Sequence, residues 1–162
     1  MLKPLAVFIA AATFAMPATA KVDPNSIALL QTLQEYGVTV HYNSSNGCSG
    51  GHQGSYNTAK VMNLCYQGSP TAEDHNTLRH EAFHYLQHCA NVRRGGQGIR
   101  PLAINPSQRQ QFVLKALNSR YIASIKESYP VRAHQIELEA FAAAETYTAD
   151  ELITYIRSWC SK

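Results

Sequence analysis

The strongest constraint on this 162-residue chain is a pair of histidines four residues apart, with a glutamate directly after the first. Apolar residues recur around this pair at helical spacing, which predicts a helix from Ser69-Pro70 to about Asn91. On a helix, His80 and His84 lie one turn, about 6 Å, apart on the same face, so both imidazoles can bind one metal ion. Two imidazole ligands at roughly 2 Å suit zinc.

Glu81 is the glutamate of this motif. It leaves the helix at the edge of the histidine face, where it can accept a proton from a water beside the metal without binding the ion. Zinc lowers the pKa of such a water to about 7, so we predict that Glu81 is the general base. The alternative is three ordinary polar residues on a solvated helix face, but Leu78 and Leu86 indicate that the helix is half-buried.

A catalytic zinc site needs a third protein ligand and one open position. His88 continues the histidine row, but two helical turns separate it from His80 by about 12 Å, which one ion cannot bridge. We therefore predict a surface or supporting role for His88. Metzincins require glycine and histidine where this chain has Gln87 and Ala90. The third ligand must come from elsewhere, and the segment 132–142 offers carboxylates on a predicted helix.

The motif and this later segment together resemble the gluzincins, the clan of thermolysin, the CAAX-type membrane endopeptidases and the lethal-factor toxins. In several of them the third zinc ligand is the glutamate of an E-x-x-A segment on a later helix, and residues 137–140 match it as Glu-Leu-Glu-Ala. The resemblance implies that His80, His84 and Glu137 bind one zinc ion. It also implies a zincin-like peptidase that hydrolyses peptide or protein substrates.

The matching segment leaves alternatives open. Glu139 is a rival ligand, but two residues further along a helix it points almost opposite to Glu137, so only one can face the metal. Glu145 is a more distant candidate. Many gluzincins have Asp, Asn or Glu at the position of Phe141 in this chain. In those proteins the polar side chain orients a zinc-bound histidine. Another residue is therefore expected to orient His80.

Hydrolysis also needs a hydrogen-bond donor for the oxyanion that develops on the substrate carbonyl. His134 lies one predicted turn before Glu137 on the same face and is the first candidate for this catalytic role, followed by Tyr129 and Arg132. Each can equally be an ordinary surface or packing residue. The glycine-rich loop 50–56 could present its backbone to an extended peptide, or be a flexible loop closed by a disulfide.

The first 20 residues have the pattern of a secretory signal peptide. They combine a cationic start, an apolar run from Leu5 to Met16 and a small-residue cleavage site before Lys21. The apolar run is too short to span a bilayer as a mature helix. We therefore predict a signal peptide at 1–20 and a single domain at 21–162, in a secreted or periplasmic protein without a membrane span.

Four cysteines follow the predicted cleavage site, and an oxidising compartment favours two disulfides. None lies in a C-x-x-C arrangement, which argues against a structural zinc site made of thiolates. Order along the chain favours Cys48 with Cys65 and Cys89 with Cys160, one of three possible pairings.

The remaining patterns predict an α+β fold, in which a short sheet packs on the motif helix and the C-terminal part is helical. The predicted elements are a helix at 24–36, strands at 38–42 and 59–66 with a third strand as an option, and helices at about 106–127, 131–146 and 149–160. The formal net charge of +3, roughly +2 without the leader, is too small and scattered to indicate a nucleic-acid partner. A monomer is expected.

Two rival functions stay open. A non-catalytic exported protein on a zincin-like scaffold could capture a metal or a partner. The other rival is an exported, disulfide-bonded inhibitor without a metal ion, in which the motif would occur by chance. Catalysis requires an open metal position, so a closed site with four protein ligands would argue for binding alone.

Overall fold

The computed structural model describes residues 25–45, 48, 53–66 and 70–161, and the predicted signal peptide at 1–20 lies outside them. The elements, in chain order, are α1 (Ser26–Glu35), β1 (Thr39–Tyr42), β2 (Gly54–Asn57), β3 (Val61–Leu64), α2 (Ala72–Arg93), α3 (Pro106–Ala116), α4 (Ser119–Ser128), a 3-10 helix (Val131–Ala133), α5 (His134–Thr146) and α6 (Ala149–Cys160). The predicted α+β class is confirmed.

Helix α2, which carries the motif, runs through the centre of the molecule. Its residues 76–87 are all buried, and it packs against strands β2 and β3 as well as α5 and α6. The main core around it contains, among others, Leu29, Leu33, Met62, Leu64, Leu78, Phe83, Leu86, Leu152 and Ile156. His80, Glu81 and His84 are 7%, 5% and 5% exposed. A solvated helix face is therefore the wrong interpretation of the motif.

The start of α2 is set by a capping box. The Thr71 side chain accepts a hydrogen bond from the backbone N–H of Asp74, and the Asp74 carboxylate accepts one from the backbone N–H of Thr71. Two of the N–H groups that a helix start leaves unpaired are thereby satisfied. This fixes where the helix begins and so where the motif lies along it.

The sheet is small and mixed. Strand β3 lies in the middle, parallel to β1 and antiparallel to β2. Strand β2 arises in a segment whose glycine, serine and asparagine content predicts a loop. It forms because Tyr56 is buried against the edge of the Tyr85 ring of α2 while its backbone pairs with β3. Within the described ranges, β2 pairs on one side only and is an edge strand.

The prediction of one helix at 106–127 is wrong in one respect, because two helices occupy this range. The backbone of Leu117 is extended, and the Asn118 side chain accepts from the N–H of Tyr121 to cap α4. The break lets Val113 and Ile125 bury with Leu117 in a second small cluster. Local capping and packing therefore override a periodicity that continues through the break.

Both predicted disulfides are confirmed. Cys48 pairs with Cys65 beside the sheet, and Cys89 pairs with Cys160, which joins the end of α2 to the end of α6. Two disulfides are typical of a protein that folds in an oxidising compartment.

The helices of the described ranges include none that is long and apolar enough to cross a membrane.

Candidate metal centre

Helix α5 brings the second half of the site to the motif. Its buried residues are Glu139 and four alanines, including Ala140 and Ala143 at 0% exposure, and small side chains let two helices approach closely. The Arg79 Nε group of α2 donates to the Ala144 carbonyl at 3.0 Å, and Asn76 Nδ2 donates to Glu145 Oε1 at 2.7 Å. These bonds hold the register of α5 against α2.

At this register the Glu137 carboxylate lies against both motif histidines. Its Oε2 atom is 3.3 Å from His80 Nε2 and 3.4 Å from His84 Nε2. The two imidazole planes are almost perpendicular, at 88°, with centroids 4.6 Å apart. One ligand atom from each of the three residues lies within 4.8 Å of the others, so the group could hold a metal ion. Two imidazoles and a carboxylate match the donor set of catalytic zinc sites.

The rival ligands lie elsewhere. The Glu139 carboxylate, 2% exposed, accepts hydrogen bonds from Gln87 and from two backbone N–H groups. Glu145 accepts from Asn76. The Nδ1 atom of His88 is 2.8 Å from the hydroxyl of Tyr56, on the sheet side of α2. Within the described part of the chain, the metal-capable group therefore consists of His80, His84 and Glu137 alone.

Glu137 and His84 change each other's pKa. Burial alone lowers the pKa of His84, but the hydrogen bond and negative charge of Glu137 outweigh it and raise that pKa to about 9. Burial raises the pKa of Glu137, but its hydrogen bonds to His80 and His84 and their charges lower it to about 2. In the metal-free protein the carboxylate is therefore balanced by a proton on His84, which a metal ion must displace.

This ion pair predicts how the stability of the metal-free protein depends on pH. The pKa of His84 is raised from 6.5, so its contribution is complete below pH 6.5 and is lost as pH rises through about 9. The pKa of Glu137 is lowered from 4.5, so its contribution is complete above pH 4.5 and is lost as pH falls through about 2. Urea unfolding with a chelator present should give a larger free energy of unfolding at about pH 6 than at about pH 10. The Glu137→Gln variant should show a smaller difference, and an equal difference would contradict the pairing.

Glu81 lies beside the edge strand. A Cβ atom added to Gly54 would be 3.0 Å from both Cγ and Oε1 of Glu81 and 2.7 Å from Thr77 Cγ2, so only glycine allows β2 to pass this close. The side chain of Gln53 accepts from the Thr77 hydroxyl at 3.1 Å and donates to Glu73 at 2.6 Å, which anchors the start of β2 to α2. Of the predicted peptide-presenting loop 50–56, residues 53–56 are described, and residues 54–56 belong to β2.

The candidates for the oxyanion donor have different surroundings. The Nε2 atom of His134 lies 2.8 Å from the Tyr129 carbonyl, to which it can donate, and the catalytic role of His134 stays a prediction. Arg132 is exposed. Burial raises the pKa of Tyr129, and the negative charges of Glu137 and Glu81 raise it further. The Tyr129 phenol therefore interacts electrostatically with Glu137 and Glu81 and keeps its proton.

The two histidines are oriented differently. The Phe141 ring packs on His80 with centroids 4.2 Å apart, and no described residue hydrogen-bonds His80 Nδ1. The prediction that a residue other than Phe141 orients His80 is therefore not met by a hydrogen bond to Nδ1 from any described residue, and the Phe141 ring packs on His80 instead. His84 Nδ1 is instead 2.8 Å from Oε1 of Gln87, a residue to which sequence reasoning gave no role. Its position, three residues after a ligand on the same helix, is the signal that could have indicated it.

Comparison with known proteins adds no relative to this description. No protein-family model, no curated protein and no solved structure matches the chain. The gluzincin resemblance therefore stays a prediction that rests on the motif and on the segment around Glu137.

Proposed function

We propose that this protein is an exported zinc-dependent peptidase. The observation that carries the proposal is the convergence of the Glu137 carboxylate on the Nε2 atoms of His80 and His84, with Glu81 next to the first histidine. The leader pattern and the two disulfides support export. Zinc, peptidase activity and export are all open to direct test.

The proposed chemistry divides between the metal and the side chains. A zinc ion held by these three ligands supplies Lewis acidity toward a carbonyl oxygen and lowers the pKa of water. Glu81 takes a proton from the attacking water on a carboxylate oxygen and delivers it to the leaving amine nitrogen. The Tyr129 hydroxyl, whose proton is retained by burial and by nearby carboxylates, is the donor that we favour for the oxyanion; His134 is the second candidate.

The proposed substrate is an extended peptide that lies along β2. An edge strand offers unpaired N–H and C=O groups that an extended chain can bind. The close approach of Gly54 to Glu81 brings this edge to the proposed base. Backbone pairing is independent of substrate side chains, so it suits unstructured protein segments.

Metal loading tests the proposal directly. The purified protein is expected to hold one zinc ion per chain and to hydrolyse an unstructured, dye-labelled protein. A chelator should abolish hydrolysis, and one equivalent of zinc should restore it, because the three ligands persist in the folded metal-free protein. A protein that takes up no stoichiometric zinc, or that hydrolyses equally well after chelation, would overturn the proposal.

One observation favours a second candidate, a non-catalytic metal-binding protein. The Phe141 ring packs on His80, whose Nδ1 atom has no hydrogen-bond partner among the described residues, and loss of an orienting partner typically costs about 10–100-fold in metal affinity or activity. A protein of this kind would bind zinc stoichiometrically but show no hydrolysis that depends on Glu81.

A further inference from the structure

We propose that Gln87, held in one orientation by Glu139, is a positioning residue that fixes the His84 imidazole in the tautomer whose Nε2 atom binds the metal. The inference rests on the proposed metal site. It extends that site inward from His84 through two buried side chains. Gln87 is 0% exposed and Glu139 is 2% exposed.

The Glu139 carboxylate is held by two backbone hydrogen bonds. The backbone N–H of Ala103 donates to its Oε1 at 2.8 Å, and the backbone N–H of Leu102 donates to its Oε2. Backbone N–H groups can only donate, so both carboxylate oxygens act as acceptors here. A third polar group that contacts the Glu139 carboxylate therefore donates a hydrogen bond to it.

The side-chain amide of Gln87 contacts this carboxylate. Its Nε2 atom lies 2.8 Å from Glu139 Oε2 and 3.2 Å from the carbonyl oxygen of Ile136. Both partners are acceptors, so the NH₂ group must face them. A flipped amide would bring its oxygen against two other oxygens and leave a buried carboxylate without one of its donors. The two acceptors around the Gln87 amide therefore determine which way its NH₂ group and its oxygen point.

The imidazole of His84 contacts this amide. With the amide oriented in this way, Oε1 of Gln87 faces His84 Nδ1 at 2.8 Å. An amide oxygen accepts only, so Nδ1 carries hydrogen and the lone pair of the neutral ring is on Nε2. That nitrogen is the one 3.4 Å from Glu137 Oε2. When a metal ion displaces the Nε2 proton that the ring carries in the metal-free protein, the ring is therefore left in the tautomer that binds through Nε2.

The hydrogen bond to Gln87 distinguishes His84 from His80, the other histidine of the motif. His80 Nδ1 has no hydrogen-bond partner among the described residues, and Phe141 packs on its ring. Ring packing restrains orientation but does not choose between tautomers. Of the two histidines, His84 is therefore the one in which a hydrogen bond to a described residue determines which nitrogen binds the metal.

Two variants test this proposal. Gln87→Leu keeps the approximate shape but removes the acceptor, and Glu139→Gln is isosteric and removes the carboxylate that holds the Gln87 amide, leaving the Ile136 carbonyl as its other acceptor. Both are expected to weaken zinc binding about 10–100-fold in competition with a chromogenic chelator. Gln110→Leu on the exposed face of α3 makes the same side-chain change away from the site and should keep wild-type affinity.

A second readout addresses the tautomer itself. Long-range ¹H–¹⁵N correlation spectra of the zinc-loaded wild-type protein should show hydrogen on His84 Nδ1 and metal on Nε2. The inactive Glu81→Gln variant should give the same pattern, which separates positioning from hydrolysis. Metal on Nδ1, or wild-type zinc affinity in both folded variants, would overturn the positioning role and leave the proposed peptidase function standing. Absence of zinc binding in the wild type would overturn the proposed function and this role with it.

Discussion

Replacement of Glu81 by glutamine is expected to leave zinc binding unchanged and to lower kcat/KM for peptide hydrolysis by about 10²–10⁴-fold. Glutamine keeps the size of the side chain beside Gly54 but cannot take a proton from water. Because Glu81 is not a member of the metal-capable group, the ion should stay bound. Zinc content by elemental analysis and hydrolysis of an unstructured protein measure the two quantities separately.

The matched control is Glu127→Gln, which makes the same change on the exposed surface of α4. It should keep wild-type zinc content and activity. Equal activity in the Glu81→Gln and wild-type proteins would remove Glu81 from the mechanism. If both bind zinc and neither hydrolyses peptides, the non-catalytic alternative is correct.

The Glu137→Gln variant is expected to lose more zinc affinity than the roughly 10–100-fold that a residue outside the ligand set contributes. The change replaces the one anionic ligand of the group with a neutral amide. In the metal-free variant, His84 loses the hydrogen bond and charge of the Glu137 carboxylate, so burial opposes only the Glu81 charge and the Gln87 hydrogen bond, and the His84 pKa should fall from about 9. A chelator competition gives the affinity, and NMR titration of the His84 ring gives the direction of the pKa change.

The control lies on the same helix. Glu145→Gln also exchanges a carboxylate for an amide, and its remaining oxygen can still accept from Asn76. This variant should bind zinc with nearly wild-type affinity. The reverse result, with Glu145→Gln losing zinc and Glu137→Gln keeping it, would show that the ligand set is wrong.

The elements that the sequence predicts best are those with local causes. The motif helix, the capped helix α6 and the two disulfides follow from periodicity, capping residues and cysteine order. The features that the sequence predicts less well, an optional third strand and the break within 106–127, have non-local causes. Strand β2 depends on the burial of Tyr56 against α2, and the break between α3 and α4 on the packing of Leu117 with its neighbours.

The site divides in the same way. His80 and His84 lie close together because they are on neighbouring turns of one helix. Helix geometry sets this distance independently of how the rest of the chain packs. Glu137 was indicated only through a resemblance, and its distance from these histidines depends on the packing of α5 against α2. Sequence distance carries no information on such packing.

The sequence by itself determined two histidines and a glutamate at metal-binding spacing, because a helix sets distances between residues four apart. Tertiary structure alone decided that Glu137 faces them while Glu139 points to Gln87. It also decided that the Phe141 ring packs on His80. The physical reason is that these contacts join side chains of α2 with side chains of α5. Their geometry exists only after the alanine face of α5 has packed on α2.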